Sequence, residues 1–593
     1  MLDTVIQIGK TFREAGKLEH HRFIKRAPLT DKRISVRYIA IPVNKNLSLN
    51  VSKKHEITNE SLIKHKLFYL TFKTSGSDGM VKYVFGDICY GFDKDGNEVA
   101  PGFYTMGDNK NKQKAFHLSS FFRGENDSEI FKGTLIESFR DSFKDKIDKI
   151  EGILKDQEPK NFIFLHFDFD KGKHWYQFNK ELDLINKKLL DELVAETEQG
   201  VVLRKSIYKT IASAEKDLQF PNFNSSALHK VKRFSGTDEV LDLLYAVDFS
   251  KKAVISEKDV KVIVLPSGIK LTAEEIEVFF IKKTLLNDAE QAEKIVSKNT
   301  NTEQSAKEML DSLFAPVVND VPNKITHFDF IFSKRGGISS PDVDLEEISG
   351  IEKSLLSDIA KRIRLIRIPL EEERNASYPK RPKQFDSMLD IRRSLYNILA
   401  DTTKAKKKYQ NHLFRVLPQI YTGIYKRDPI LLPCFVEKTE YNIRSGFSDY
   451  NLMKYDYYFL INIQNSNEGD TMENMLNSTS YKAGLLLGKL AQPLDYKIAS
   501  FEKNYVGLLS RRIVDRQGLI KFVNFIDEKL TIHDVAYPNL KESSVALAKI
   551  IIEIKDTDYN KNYCAFGFFE SYFKYEPKKE KDDNVKFAET KTN

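Results

Sequence analysis

Leu519, Phe522, Val523, Ile526 and Leu530 recur every three or four residues, so on an α-helix they form one apolar stripe that has to be buried. On a strand they would scatter over both faces. Further stripes run through Val545 to Ile554 and Tyr563 to Tyr575. Leu476, Ala483, Leu487 and Leu490 repeat at heptad-like spacing behind Asp470 and Glu473, a pair spaced like a capping box, and Pro493 ends that segment. Four such helices with short connections bury their stripes by packing on one another, which predicts a helical bundle at the C-terminal end.

The first third carries the other periodicity. Ile34, Val36 and Tyr38 alternate with Ser35 and Arg37, Leu67 to Leu70 is a short apolar run, and Met80 to Phe92 leads into the turn signal Asp95-Gly96. Antiparallel strands joined by hairpins are expected here, followed by a helix over 129–155, a strand over 161–170 and helices from Phe178 to Glu198. Ile325 to Phe332 returns to strand pattern after a polar loop at 299–304, and helix is expected from Asp342 onward. Leu389, Ile391, Leu395, Ile398 and Leu399 share a helical face flanked by Arg392 and Arg393, with Pro379 and Pro382 upstream. The expected fold class is therefore α+β. A strand-rich N-terminal α/β region covers 1–350 in one or two subdomains; a mostly α-helical C-terminal region follows. The latter divides into a basic helical middle part at 351–445, a four-helix-type bundle at 446–575 and a disordered tail at 576–593.

At 593 residues, with 41 Phe and 26 Tyr, the chain has ample material for several cores and lacks the composition of a disordered protein. No run approaches the roughly 18 uninterrupted apolar residues of a membrane span, and the first residues, MLDTVIQIGKTFREAGK, lack a secretory pattern. A cytoplasmic protein with no membrane partner is expected. Cys89, Cys434 and Cys564 are too far apart for a Cys-x-x-Cys element and are read as reduced thiols. The formal charge of +8 is unevenly spread: Lys361 to Arg427 holds 17 Lys and Arg against 6 Asp and Glu, a net of +11, which leaves −3 for all the rest. Such a concentration fits a polyanion-binding surface, and equally fits solvated helix faces.

Catalytic patterns are less persuasive. His166-Phe167-Asp168-Phe169 and His327-Phe328-Asp329-Phe330 repeat one tetrapeptide, and two such strands side by side would offer His166, Asp168, His327 and Asp329 to a divalent metal. A Phe-rich strand with one buried and one polar face gives the same letters. Gly484 to Leu490 has three residues between its glycines and no hydroxyl after Lys489, so it is not a phosphate loop; inside an apolar helical stripe its small residues suit close helix packing. His533-Asp534 stands without further histidines, and GxSxG, HExxH and GxGxxG are all missing. No cofactor is expected.

Binding signals are more numerous. Lys334 and Arg335 precede Gly336-Gly337, which suits a loop approaching a phosphate. Lys404, Lys406, Lys407 and Lys408 crowd one helical stretch and Arg511, Arg512 and Arg516 another, each able to neutralise a phosphate. Asn222 and Asn224 lie on a loop followed by Lys230, Lys232 and Arg233, a place for base contact or for simple turn formation.

The segments YLTFKTSGSDGMVKYVFGDI, KAFHLSSFFRG, FLHFDFDKGKHW, YKAGLLLGKLAQ, FEKNYVGLLSRR, LIKFVNFIDEKL and YCAFGFFESYF resemble the large subunit of the type I-B CRISPR surveillance complex, Cascade. The likeness extends over most of the chain, and LLLGKL and FGFFESYF carry most of it. It implies a non-catalytic subunit at the foot of an RNA-guided complex. Such a subunit contacts the end of the CRISPR RNA, inspects the protospacer-adjacent motif on double-stranded target DNA and supports R-loop formation. It also implies backbone and small Cascade subunits as partners, a C-terminal bundle resembling the small subunit, and recruitment of a separate helicase-nuclease after target binding. No base-reading residue carries over; Lys334, Arg335, Asn222 and Asn224 stand on local chemistry.

Some relatives also make a separate small subunit from an internal start, and Met453, Met472 and Met475 precede the bundle here; a start at Met472 leaves 122 residues, 472–593. A blot of native cells against the C-terminus is expected to show a short product beside the full chain. Full-length protein alone counts against it.

Overall fold

The computed structural model describes residues 2–26, 35–46, 48–56, 68–73, 81–86, 88–92, 98–99, 161–168, 183, 186–187, 190, 193–198, 200–203, 234–256, 260–287, 311, 313–319, 321–334, 343–377, 388–399, 405–446, 450–464, 472–535 and 538–574. The protein is α+β, with strand-containing sheets toward the N-terminus and a mostly helical C-terminal region. The chain divides into two compact units: Met1–Val254, Ile263–Lys282 and Gly336–Val343 form one, and Ile255–Val262, Lys283–Arg335 and Asp344–Asn593 the other.

In the first unit, β1 (Ile24–Arg26), β4 (Phe68–Lys73) and β5 (Val81–Gly86) form an antiparallel sheet in the order β1-β4-β5, with Ile24 opposite Leu70 and Tyr69 opposite Gly86. This is the antiparallel pairing expected of the Leu67 to Leu70 run and the Met80 to Phe92 stretch, the latter divided between β5 and a strand of the next sheet. A five-stranded sheet has the order β3-β2-β8-β6-β7, built from β2 (Ser35–Pro42), β3 (His55–Glu56), β6 (Ile88–Phe92), β7 (Glu98–Val99) and β8 (Asn161–Asp168). Here the expectation of antiparallel pairing alone is corrected: β2 and β8 run parallel, from Ser35 opposite Asn161 to Pro42 opposite Asp168. Parallel neighbours need a long crossover, and local turn signals cannot announce one. The helix expected as far as Glu198 also stops short, because β9 (Val194–Thr197) pairs antiparallel with β10 (Gly200–Leu203).

Helix α1 (Leu2–Glu14) lies against α2 (Thr237–Lys252) so closely that a Cβ on Gly9 would overlap the Asp242 carbonyl. Arg13 Nε donates to Asp242 Oδ1 at 2.6 Å. Phe12 is fully buried, stacked on His20 and edge-on to Phe249, which in turn meets Phe280 of α3 (Ala273–Asn287). Glu277 of α3 binds Lys17 Nζ at 2.7 Å and His20 Nε2 at 2.8 Å, so an aromatic cluster is closed on its rim by ion pairs.

A further sheet has the order β11-β12-β13-β14, from β11 (Val254–Ser256), β12 (Val260–Gly268), β13 (Ile325–Lys334) and β14 (Val343–Glu352). Helix does not begin at Asp342 as expected; Val343, Leu345 and the residues after them pair as β14, and α4 (Lys353–Ser377) starts at Lys353. Phe328, Phe330 and Phe332 of β13 are completely buried. Phe330 lies 4.4 Å from the ring of Tyr421, whose hydroxyl donates to the Leu313 carbonyl at 2.7 Å.

The second unit continues through α5 (Ile391–Leu399), α6 (Ala405–Tyr421), α7 (Leu431–Arg444), α8 (Tyr450–Asn462), α9 (Met472–Asn477), α10 (Thr479–Ala491), α11 (Arg516–Ile532), α12 (Pro538–Glu553) and α13 (Lys561–Tyr572). All five residues of the Leu519 to Leu530 stripe are buried on α11, and Asp515 caps that helix by accepting the Gly518 amide at 2.7 Å. The segment read as one helix from Leu476 is two: Ser478 accepts the Tyr481 amide and starts α10, while Met475 takes the buried position in place of Leu476. Asp470 and the tail after Glu576 lie outside the described residues.

The small residues of α10 do what their spacing suggested. A Cβ on Gly484 would overlap the Cys564 carbonyl, one on Gly488 the Phe568 carbonyl, and one on Gly567 of α13 the Tyr481 carbonyl. The two helices therefore meet backbone to backbone. Gly484→Ala is expected to lower stability by about 3 kcal/mol through overpacking, read as an earlier urea midpoint at unchanged slope. A variant as stable as the parent would show that α10 and α13 do not close this tightly.

Candidate nucleic-acid interface

The described residues of the basic region 361–427 lie in α4, α5, α6 and the segments flanking them, and their cations divide between core and surface. On α4 the buried positions are Leu356, Ala360, Ile363, Arg367 and Arg374, so two arginines occupy the inward face. Arg367 Nε lies 3.9 Å from Glu371. Arg362 is exposed, and its Nη2 donates to the carbonyls of Ile463 and Gln464, closing the C-terminal end of α8. Lys361, Arg393, Arg415, Lys426 and Arg427 are exposed, and Arg427 donates to the Tyr563 hydroxyl at 2.8 Å.

Helix α5 is set by carboxylates at its start. Asp311 Oδ2 accepts the Ile391 amide at 2.7 Å, while Asp390 Oδ1 accepts the amides of Arg392 and Arg393. Burial, reinforced by the neighbouring Asp390, holds the Asp311 carboxyl well above the ordinary range. The expected apolar face is the buried one, Ile391, Leu395, Ile398 and Leu399, which leaves Arg392 half-buried and Arg393 exposed. Ser394 and Asn397 hydrogen-bond the buried Asp456 of α8 at 2.6 and 2.9 Å. Burial still raises that carboxyl against both bonds.

Lys406, Lys407 and Lys408 stand in the first turn of α6, where the positive end of the helix dipole opposes added cations and favours an anion. Their side chains and the whole of Lys404 lie outside the described residues. Tyr409 beside them is buried and donates to the Arg392 carbonyl, joining α6 to α5. Further along α6, His412 Nε2 lies 2.6 Å from Asp428 Oδ2, with Arg415 Nη2 3.2 Å from His412 Nδ1 and 3.6 Å from Asp428 Oδ1. Burial works to raise the Asp428 carboxyl. Its contact with His412, the Ile430 amide and Arg415 outweigh it and leave the carboxyl below its ordinary value.

The three arginines near 511–516 serve different ends. Arg511 is exposed and within the field of the buried Glu440, which takes the amide and hydroxyl of Ser510. Arg512 lies over the rings of Tyr505 and Phe522 and donates to the Asn504 carbonyl. Arg516 donates through Nε and Nη2 to the Ile551 carbonyl, tying α11 to the end of α12. Lys334 ends β13 with Nζ 4.9 Å above the Phe414 ring of α6. Arg335, Asn222, Asn224, Lys230, Lys232 and Arg233 fall outside the described residues.

The paired tetrapeptides do not come together on adjacent strands. His166 and Asp168 belong to β8, in the five-stranded sheet, and His327 and Asp329 to β13, in the four-stranded one. Asp329 is buried and its Oδ1 accepts the Gly350 amide at 2.7 Å, in β14, where Gly350 takes φ 71°. His327 shares a hydrogen bond with Thr326. Among the described residues no group of three His, Cys, Asp or Glu is placed to hold a metal, and no helix is long and apolar enough to cross a membrane.

No protein-family model matches the chain, and a search of curated proteins finds no match either. Sequence reasoning missed Arg415, His412 and Asp428. His412 and Arg415 are three apart on a helix, a spacing too common to mark, and Asp428 reaches them from beyond the helix end.

The lowered Asp428 carboxyl has a pH signature. Its folded-state value lies below its unfolded one, so its contribution is fully present above the ordinary carboxylate range and is lost as pH falls through the lowered value. Asp428→Asn is expected to cost about 3 kcal/mol at pH 7. That deficit should shrink below about pH 4. Denaturant melts across that range check it; a deficit independent of pH would mean the carboxylate is not held ionised by this pair.

Proposed function

We propose that the chain is the large, non-catalytic subunit of a type I-B CRISPR surveillance complex, acting in the cytoplasm. In this reading it binds the end of the CRISPR RNA and the backbone and small subunits. It recognises the protospacer-adjacent motif on double-stranded target DNA, supports R-loop formation and recruits the helicase-nuclease. The observation that carries the proposal is the local excess of +11 between Lys361 and Arg427, a region in which Arg393 of α5, Arg415 of α6, and Lys426 and Arg427 after α6 are exposed to solvent. The resemblance of its segments to that family supplies the specific assignment. Lysines at the start of α6 suit a phosphate, which the helix N-terminus also favours.

Co-expression of the tagged chain with backbone-subunit genes and a repeat array is expected to co-purify a short RNA. The complex should retain duplex DNA with an affinity that falls linearly in log–log salt. Replacing Lys404, Lys406, Lys407 and Lys408 by Gln should reduce that slope by about 0.9 for each phosphate no longer neutralised. Absence of RNA and of salt-dependent retention would sink the proposal. Manganese-dependent cleavage of labelled DNA that disappears in His166→Ala and His327→Ala would replace it with a metal-dependent nuclease.

A further inference from the structure

Arg415 differs from an ordinary surface arginine in what stands behind it. Its side chain is 57% exposed, yet His412 and Asp428, which it touches, are only 2% and 3% exposed. A guanidinium can only donate, so His412 Nδ1 must accept from Arg415 Nη2. The ring proton then resides on Nε2, which faces Asp428 Oδ2 at 2.6 Å. That tautomer sets a ring N–H against the carboxylate, a close electrostatic contact outside hydrogen-bond angle. Asp428 is itself anchored: its Oδ1 accepts the Ile430 amide, its own amide donates to Gln464 Oε1, and the Tyr425 hydroxyl reaches Oδ2.

The result is a line of oriented groups running from the interior to one solvent-facing guanidinium. An unsupported arginine gives up rotamer freedom when it binds, whereas this one is held in place beforehand. The Asp428 charge is shared with His412 and Arg415, and the exposed Lys426 and Arg427 keep the neighbourhood positive. A fixed planar fork with unused donors on a positive surface fits a phosphate oxygen pair.

We infer that Arg415 contacts a backbone phosphate of nucleic acid bound on this surface, and that His412 and Asp428 are positioning residues that aim it. This rests on the nucleic-acid reading above and adds to it a specific residue and its support.

The test measures binding of labelled duplex DNA by the full-length chain assembled in the RNA-containing complex described above, over a series of salt concentrations. Arg415→Gln is expected to weaken binding about tenfold and to lower the log–log salt slope by about 0.9. Arg415→Lys keeps the charge and loses the fork, so its slope should match the parent while its affinity falls. His412→Gln, confirmed folded by thermal melting, should behave like Arg415→Lys, a pattern that a purely structural histidine would not produce. Lys541→Gln, an exposed change on α12, is the control and should alter neither quantity. Parent-like binding by Arg415→Gln, or an equal loss in the control, overturns the inference and leaves the nucleic-acid reading standing. Failure of the parent chain to retain DNA at any salt overturns both.

Discussion

The contact between α10 and α13 sets the geometry of the C-terminal helices. Gly484, Gly488 and Gly567 let two backbones touch, so the distance between these helices is fixed by main-chain atoms and not by side-chain volume. Tyr481 and Phe566 meet beside the seam, and Phe566 also meets Tyr457 of α8 and Phe435 of α7. The aromatic packing of α7 and α8 is thus referred to a rigid pair. Cys564, whose carbonyl faces Gly484, is fully buried, and burial pushes its thiol up to about 12. It is a packing residue here and not a nucleophile.

The same unit shows why a net charge along the sequence is a poor map of a surface. Arg367 and Arg374 sit at positions that continue the apolar stripe of α4, and both are buried. Other cations are committed to helix ends: Arg362 to that of α8, Arg516 to the end of α12. Among the described residues, those left to solvent form a smaller set whose members are not equivalent. Arg415 stands on buried partners, Lys426 is simply exposed, and Arg427 is engaged with Tyr563.

Much of the helical half was legible because its signals are local. The α11 stripe, the apolar face of α5 and the small residues of α10 all depend on residues within a few turns of one another. The failures share the opposite property. Pairing of β2 with β8 joins residues more than 100 positions apart, and nothing in either strand encodes its neighbour's direction. Asp329 looked like a ligand on a polar face, and its role as an acceptor for the Gly350 amide depends on a strand 21 residues on. The Asp428, His412 and Arg415 line was invisible for the same reason: its members are common residues at unremarkable spacing until the turn after α6 brings them together.

A seam made of backbone has a consequence for how this fold could diverge. Leu485, Leu486 and the aromatic residues around α10 and α13 can exchange for other apolar residues with only modest repacking, whereas positions 484, 488 and 567 have no room for a side chain. Over long descent the surrounding letters would drift while three glycines held their places. Kinship among chains built this way would be carried by a sparse spacing pattern, too thin for overall similarity to register.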